Sequence, residues 1–241
     1  MNISLKEFKA VLVINMISAL LIFLTKDLSI FPIMLQIVLF LLGSTGFYLL
    51  YKSTNFKTTI SIFIILGLYG LFIEATSIRT GFPYSRFEYS DLMGYKISNV
   101  VPYTVFLIWP TLVISAYSLS EFITKNRMNK IIVTTILLLL LDLVFDPVAT
   151  SLGFWMWDKS GIYYGVPALN FVGWIFSSLV SAFIVNLFLK KHSLDNKYLI
   201  LIYIGNLLLW TFLCIKLGMY IPVIISILIF IVLFKKFNLD K

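Results

Sequence analysis

Three carboxylates stand within long apolar stretches of this chain: Glu74, Asp142 and Asp146. Acids so placed are rare, because putting one at the centre of a membrane helix costs roughly 3 kcal/mol, and each is by default a candidate for function. Asp142 and Asp146 are four residues apart, which on a helix sets them on one face, about 6 Å apart along the axis. Burial and mutual proximity both oppose two negative charges there. The three acids fall toward the C-terminal ends of their apolar runs, where the helix dipole would oppose ionisation further. At least one of them is therefore expected to carry a proton at neutral pH, the state a general acid needs. The spacing does not say which one donates. The structural alternative is that they pair with Arg79 or Lys96 or cap neighbouring backbone. Asp158, just after Trp155 and Trp157, reads as a solvated loop acid.

Aromatic residues crowd the same stretches: Trp109, Trp155, Trp157, Tyr163, Tyr164, Phe171 and Trp174, with Phe82, Tyr84 and Tyr89 in an earlier segment. They form either an interfacial belt or a cavity whose ring faces stabilise a developing cation. Asn170 and Asn206, polar within apolar runs, suit the positioning of water or a hydrogen bond between helices. Cys214 is the single cysteine and His192 the single histidine, so neither an internal disulfide nor a Cys/His metal spacing exists. No nucleotide-binding motif is present. The chemistry expected of these residues needs neither metal nor cofactor.

The elements that must carry them are membrane helices. Of 241 residues, 60% are hydrophobic and only 12% charged, with mean hydropathy +0.99. A soluble domain carries about 25% charged residues. Apolar runs cover approximately 11–24, 30–51, 58–77, 99–121, 131–147, 168–189, 198–215 and 219–234, most of them near the length of about 20 residues that spans a bilayer. The first run follows Lys6 and Lys9 as a signal peptide would, but no small-x-small cleavage site precedes Lys26, so it is read as a span. The net charge of +8 sits in short tracts between runs, which argues for topology rather than nucleic acid. With eight spans, thirteen of the nineteen basic residues fall on one side. That side is expected to be the cytoplasm, with both termini in it. This split requires two helices broken near Lys216-Leu217-Gly218. A seven-helix count would put the Lys235-Lys236 end outside. The chain is thus expected to be a single all-α integral membrane domain over residues 1–241, multi-pass in the cell membrane. Segments 78–98 and 148–167, rich in Gly, Pro and aromatics, read as ordered loops at the outer interface.

The pattern V-P-x-x-x-F-x-x-W occurs twice, at Val101–Trp109 and Val166–Trp174, with each Pro expected in the first turn of a helix. It is either the trace of a parallel repeat of helices 3–4 and 5–6 or two independent interfacial anchors.

Two blocks give the chain a family likeness. The first is Arg79-Thr80-Gly81-Phe82-Pro83 after Glu74, then Tyr89, Gly94, Val101-Pro102 and Trp109. The second is Asp142-x-x-x-Asp146-Pro147-x-Ala149, Gly153-Phe154-Trp155-Met156-Trp157, Gly161-Ile162-Tyr163-Tyr164-Gly165-Val166-Pro167 and Asn170-Phe171-x-Gly173-Trp174. Over about residues 70–176 they resemble the membrane carotenoid-biosynthesis family that includes bisanhydrobacterioruberin hydratase and related carotenoid end-group hydratases. The resemblance implies a lyase that adds water across the terminal isopropylidene double bond of a long polyene. Protonation of the less substituted carbon gives a tertiary cation, and water captures it as a tertiary alcohol. Asp142 or Asp146 would donate the proton; the other, or Glu74, would hold the water. Arg79, Trp109, Trp155, Trp157, Tyr164, Asn170 and Trp174 are the expected binding residues. The implied partners are a lipid-soluble carotenoid, membrane lipid and other enzymes of the pathway. The alternatives are a carotene cyclase using the same cation, a proton-coupled transporter, and a structural membrane subunit.

Overall fold

The computed structural model describes Val13, residues 30–190 and residues 192–239. The apolar run 11–24 apart from Val13, with Lys6, Lys9 and Lys26, lies outside the described residues, as do Lys191 and Lys241. The described residues contain seven helices long and apolar enough to cross a membrane. They are α1 (Phe31–Ser53), α2 (Phe56–Thr80), α3 (Thr104–Ile123), α4 (Arg127–Ser151), α5 (Ala168–Phe188), α6 (Lys197–Lys216) and α7 (Tyr220–Leu239). Each matches one of the last seven apolar runs. The break between α6 and α7 falls at Leu217-Gly218-Met219, where Gly218 takes φ +69°, a conformation only glycine adopts freely.

Asparagine starts three of these helices at one end of the bundle. Asn55, Asn126 and Asn196 each accept a hydrogen bond from a backbone N–H of the first turn of α2, α4 and α6, which satisfies donors that would otherwise be orphaned. The same end is tied by side chains. Asn196 donates to Ser53 at 2.7 Å, and Lys125 pairs with Asp195 at 3.2 Å. The buried Glu121 carboxylate accepts from both the Lys130 ammonium and the Leu194 backbone N–H. Lys130 is therefore a buried, paired cation rather than a free loop charge.

α3 is the central helix, packed by α1, α2, α4, α5 and α6. Close approach of α2 is set by Gly67, whose added Cβ would stand 2.6 Å from the Phe106 ring and 2.8 Å from the Phe106 carbonyl. That carbonyl is the one Pro110, four residues on, cannot engage.

Three expectations about local structure are corrected. The helix bearing the aspartates does not end at Pro147; α4 runs on to Ser151. The reason is a substitute donor: the Tyr163 hydroxyl bonds the Leu143 carbonyl at 2.9 Å, the acceptor that proline leaves free. α2 likewise runs past Glu74 to Thr80. None of the three acids is therefore in a last turn, and the dipole, which fades beyond the terminal turn, does not bear on them. Pro102 lies in a short strand before α3 and Pro167 at the N-cap of α5, so neither prolines occupies a first turn. The two long loops are ordered and joined to each other. Strand β1 (Phe87–Tyr89) pairs antiparallel with β4 (Trp155–Trp157), in register Phe87↔Trp157, Glu88↔Met156 and Tyr89↔Trp155. Between them in sequence, β2 (Lys96–Ile97) pairs with β3 (Val101–Pro102). The β1–β4 ribbon closes the bundle end opposite the asparagine caps.

Candidate active site

The alternation of β1 and β4 directs residues to opposite faces. Phe87 and Tyr89 are buried while Glu88 is exposed; Trp155 is buried, Met156 exposed. The inward residues form the roof of a cavity of about 130 Å³. α1 contributes Leu35, Val38, Leu39 and Leu42 to its wall, and α3 contributes Thr104, Val105, Ile108, Trp109 and Leu112. Phe145 and Asp146 come from α4, Asn170 and Trp174 from α5, and Asn206, Leu209 and Trp210 from α6; Glu74 of α2 completes it. The cavity lies between the acid-bearing helices α2 and α4, and α1, α3, α5 and α6 also line it.

The rings form one connected set. Trp109 and Trp174, the tryptophans of the two V-P-x-x-x-F-x-x-W stretches, meet edge to face at 5.3 Å. Phe145 contacts Trp155 at 5.3 Å and Trp210 at 4.7 Å. The Trp109 indole N–H is anchored outward on Ser181 Oγ at 3.1 Å. Ring faces in a dry cavity are worth about 2 kcal/mol or more each to a desolvated cation.

Polar groups enter this apolar space at two places. At one, Asn170 Nδ2 donates to Asp146 Oδ2 at 2.5 Å and to Asp142 Oδ2 at 3.0 Å. Asp146 lines the cavity, whereas Asp142 is fully buried behind it and does not. Asp142 Oδ1 has no hydrogen-bond partner among the described residues. The Trp155 indole comes within hydrogen-bonding reach of Asp146. At the other place, Glu74 faces the Tyr89 hydroxyl within hydrogen-bonding reach. Tyr84 stands beside Glu74 and against Ser177. Both phenols lie in the loop outside the helices. Burial first, and the neighbouring Glu74 carboxylate next, hold each well above the ordinary phenol value, so both remain O–H donors.

The remaining expected site residues divide. Trp157 lines the cavity edge, its indole donating to Thr150 Oγ1 at 3.1 Å. Asn206 lines it too, but its Nδ2 is spent on the Ile202 carbonyl at 2.9 Å. Arg79 is exposed at the end of α2 and does not line the cavity. No ion pair between Arg79 and Glu74 occurs among the described residues, and Lys96 pairs with Asp91 instead, at 3.2 Å. Tyr164 also lies off the cavity, its hydroxyl accepting from the Ile221 N–H at 3.3 Å. Asp158 is an exposed loop residue. Phe145 and Trp210 are wall residues the sequence reading passed over; they sit in apolar helical context with nothing to separate them from lipid-facing neighbours.

Comparison with known proteins bears on this arrangement. No solved structure matches the chain. Bisanhydrobacterioruberin hydratase of Haloarcula japonica is 34% identical over 122 residues, which is 49% of this chain and 41% of that protein. The match therefore spans about two fifths of the curated relative's length. The family described as "Carotenoid biosynthesis protein" matches residues 33–233, a stretch that reaches from α1 into α7 and contains every cavity residue named above. This multi-pass membrane protein belongs to the carotenoid biosynthesis protein family.

Proposed function

We propose that the protein is a carotenoid hydratase: it protonates the terminal isopropylidene double bond of a long polyene and lets water capture the tertiary cation. The observation that carries this reading is that Asp146 and Glu74, from different helices, line one aromatic-walled cavity. An alkene has no lone pair to coordinate, so its activation here falls to a strong, desolvated proton donor with walls that tolerate positive charge. Of the two aspartates Asp146 is the donor, because it faces the cavity and Asp142 does not. Asp142 and Asn170 stand behind it, and with Asn170 bridging both carboxylates the pair holds a proton between them rather than two charges. Glu74, at the other polar place, accepts the proton that the attacking water releases. Trp109, Trp155 and Trp174 shield the cation from bulk solvent.

The likeness to a protein named as a hydratase supports addition of water over ring closure, and so do the polar groups at the Glu74 end of the cavity. A carotene cyclase would need that end dry. Expression in a host that makes an acyclic carotene separates the two: hydration yields a tertiary alcohol and cyclisation a ringed hydrocarbon. A transporter would yield neither. We further propose that the β1–β4 roof lies at the outer face of the cell membrane and that both termini are cytoplasmic, following the excess of basic residues at the opposite end.

A further inference from the structure

The cavity's second polar place has no role in delivering the proton, and its two phenols come from the 81–89 segment rather than from a helix. We propose that Glu74, Tyr89 and Tyr84 form the subsite for the attacking water and for the hydroxyl of the product. Tyr89 is the residue that fixes where the oxygen stands. This inference rests on the hydratase reading.

The argument is one of partners. A water held in a largely apolar cavity needs 2–4 polar contacts. At the Asp146 end they are already taken: Asn170 Nδ2 is divided between the two aspartates, and the Trp155 indole reaches Asp146. At the Glu74 end a carboxylate and two phenol oxygens converge; Tyr89 reaches Glu74 and Tyr84 reaches Ser177, but all three groups keep lone pairs that can accept from a water, and Glu74, Tyr84 and Tyr89 all line the cavity. The phenols are buried, at 2% and 6% exposure, so their hydroxyls have no bulk solvent to turn to. Tyr84 is fixed from behind by α5: the ring lies where a Cβ on Gly173 would stand 2.4 Å from its Cδ1. Tyr89 is fixed by the ladder, opposite Trp155. One pair of strand residues thus touches the acid at each end of the cavity and sets the distance between donor and water.

The step balances without an oxidant or reductant. The Asp146 O–H bond breaks, and the proton joins the less substituted alkene carbon. The water oxygen bonds the tertiary carbon, and its released proton goes to Glu74. Transfer of that proton back to the aspartate pair resets the site. The sum is polyene plus water to tertiary alcohol.

The test uses membranes holding the full chain, an acyclic polyene with an isopropylidene end, and D₂O. Protonation that reverses leaves deuterium in recovered polyene; capture leaves the alcohol. Both are read by mass spectrometry. Tyr89→Phe removes one hydroxyl from the water and leaves Asp146 intact. We expect the ratio of alcohol to deuterated polyene to fall about 10-fold, on the scale of one lost hydrogen bond in a buried site. Glu74→Gln, which keeps an oxygen at that point, should move the ratio the same way, and serves if Tyr89→Phe does not fold. If both variants lose alcohol and deuteration in parallel, the water subsite is overturned while acid catalysis by Asp146 stands. If the wild type neither deuterates nor hydrates the polyene, the hydratase reading falls and the subsite with it.

Discussion

Tyr89 and Trp155 stand opposite each other in the β1–β4 ladder with ring centroids 5.7 Å apart, and each reaches a different cavity carboxylate. Tyr89 meets Glu74 of α2; Trp155 meets Asp146 of α4. Two loops from distant parts of the chain are thus locked into one roof, and the roof holds both acids in place. Rigid placement of this kind is how a site lowers a barrier without moving at the moment of reaction.

The acids should separate by position. Asp146→Asn keeps the shape of the side chain and its place on the cavity wall but removes the transferable proton. Loss of a general acid typically costs about 10²–10⁴-fold, and the upper end is expected, since an alkene offers no easier route. Asp142→Asn, one layer behind, should lower turnover less. Asp158→Asn, an exposed loop position, should leave it unchanged. Product formation at saturating polyene, in membranes with matched protein levels, gives the comparison. Near-normal turnover by Asp146→Asn would remove it as the donor.

Tyr163 should matter because of Pro147. Tyr163→Phe leaves the Leu143 carbonyl without a donor in the turn that carries both aspartates. Hydrogen bonds of this type in membrane proteins average about 0.6 kcal/mol, with a maximum near 1.7. In a Pro147→Ala background the new N–H can bond Leu143 itself, so the same tyrosine change should cost less. Denaturant unfolding of the four variants in mixed micelles measures the coupling. Equal costs in both backgrounds would mean that the hydroxyl does not compensate for the proline.

The membrane class, the seven described helices and the break at Gly218 were legible because each is a local matter of hydropathy and turn chemistry. The aspartate pair was legible from its i, i+4 spacing, and Asn170 from its polarity. What escaped was non-local. Pro147 looked like a helix end because the residue that rescues it, Tyr163, is sixteen positions away. The β1–β4 pairing could not be seen because residues 87–89 and 155–157 are short and neither signals its partner. Arg79 and Tyr164 looked like site residues from their company in the motif blocks; the fold turns Arg79 to the surface and Tyr164 toward α7.

Gly173→Ala should disturb the water side of the cavity without touching an acid. Its Cβ would stand 2.4 Å from Tyr84 Cδ1 and 2.7 Å from the Pro83 carbonyl oxygen, closer than real contacts allow. The loop must shift, at about 1–3 kcal/mol for overpacking of this kind. We expect lower resistance to unfolding in mixed micelles and less alcohol per turnover of the polyene. Unchanged stability would mean that α5 and the 82–85 loop do not meet this closely.

The topology should follow the basic residues. Reporter fusions at Lys57, Arg127, His192 and Lys241 should read cytoplasmic, and those at Arg86 and Lys159 external. The loops bearing Lys57, Arg127 and His192 share one end of the bundle, where Asn55 bonds His192 at 3.1 Å. An external reading at Lys241 together with a cytoplasmic one at His192 would contradict two crossings by α6 and α7.

The most direct test of acid-catalysed hydration is the origin of the product's oxygen. Membranes containing the wild type or Asp146→Asn are incubated with an acyclic polyene ending in an isopropylidene group, in H₂¹⁸O, and the products are resolved by mass spectrometry. The account predicts a tertiary alcohol carrying ¹⁸O from the wild type and none above background from Asp146→Asn. A ringed or unlabelled product from the wild type, or an equally labelled alcohol from the variant, would contradict it.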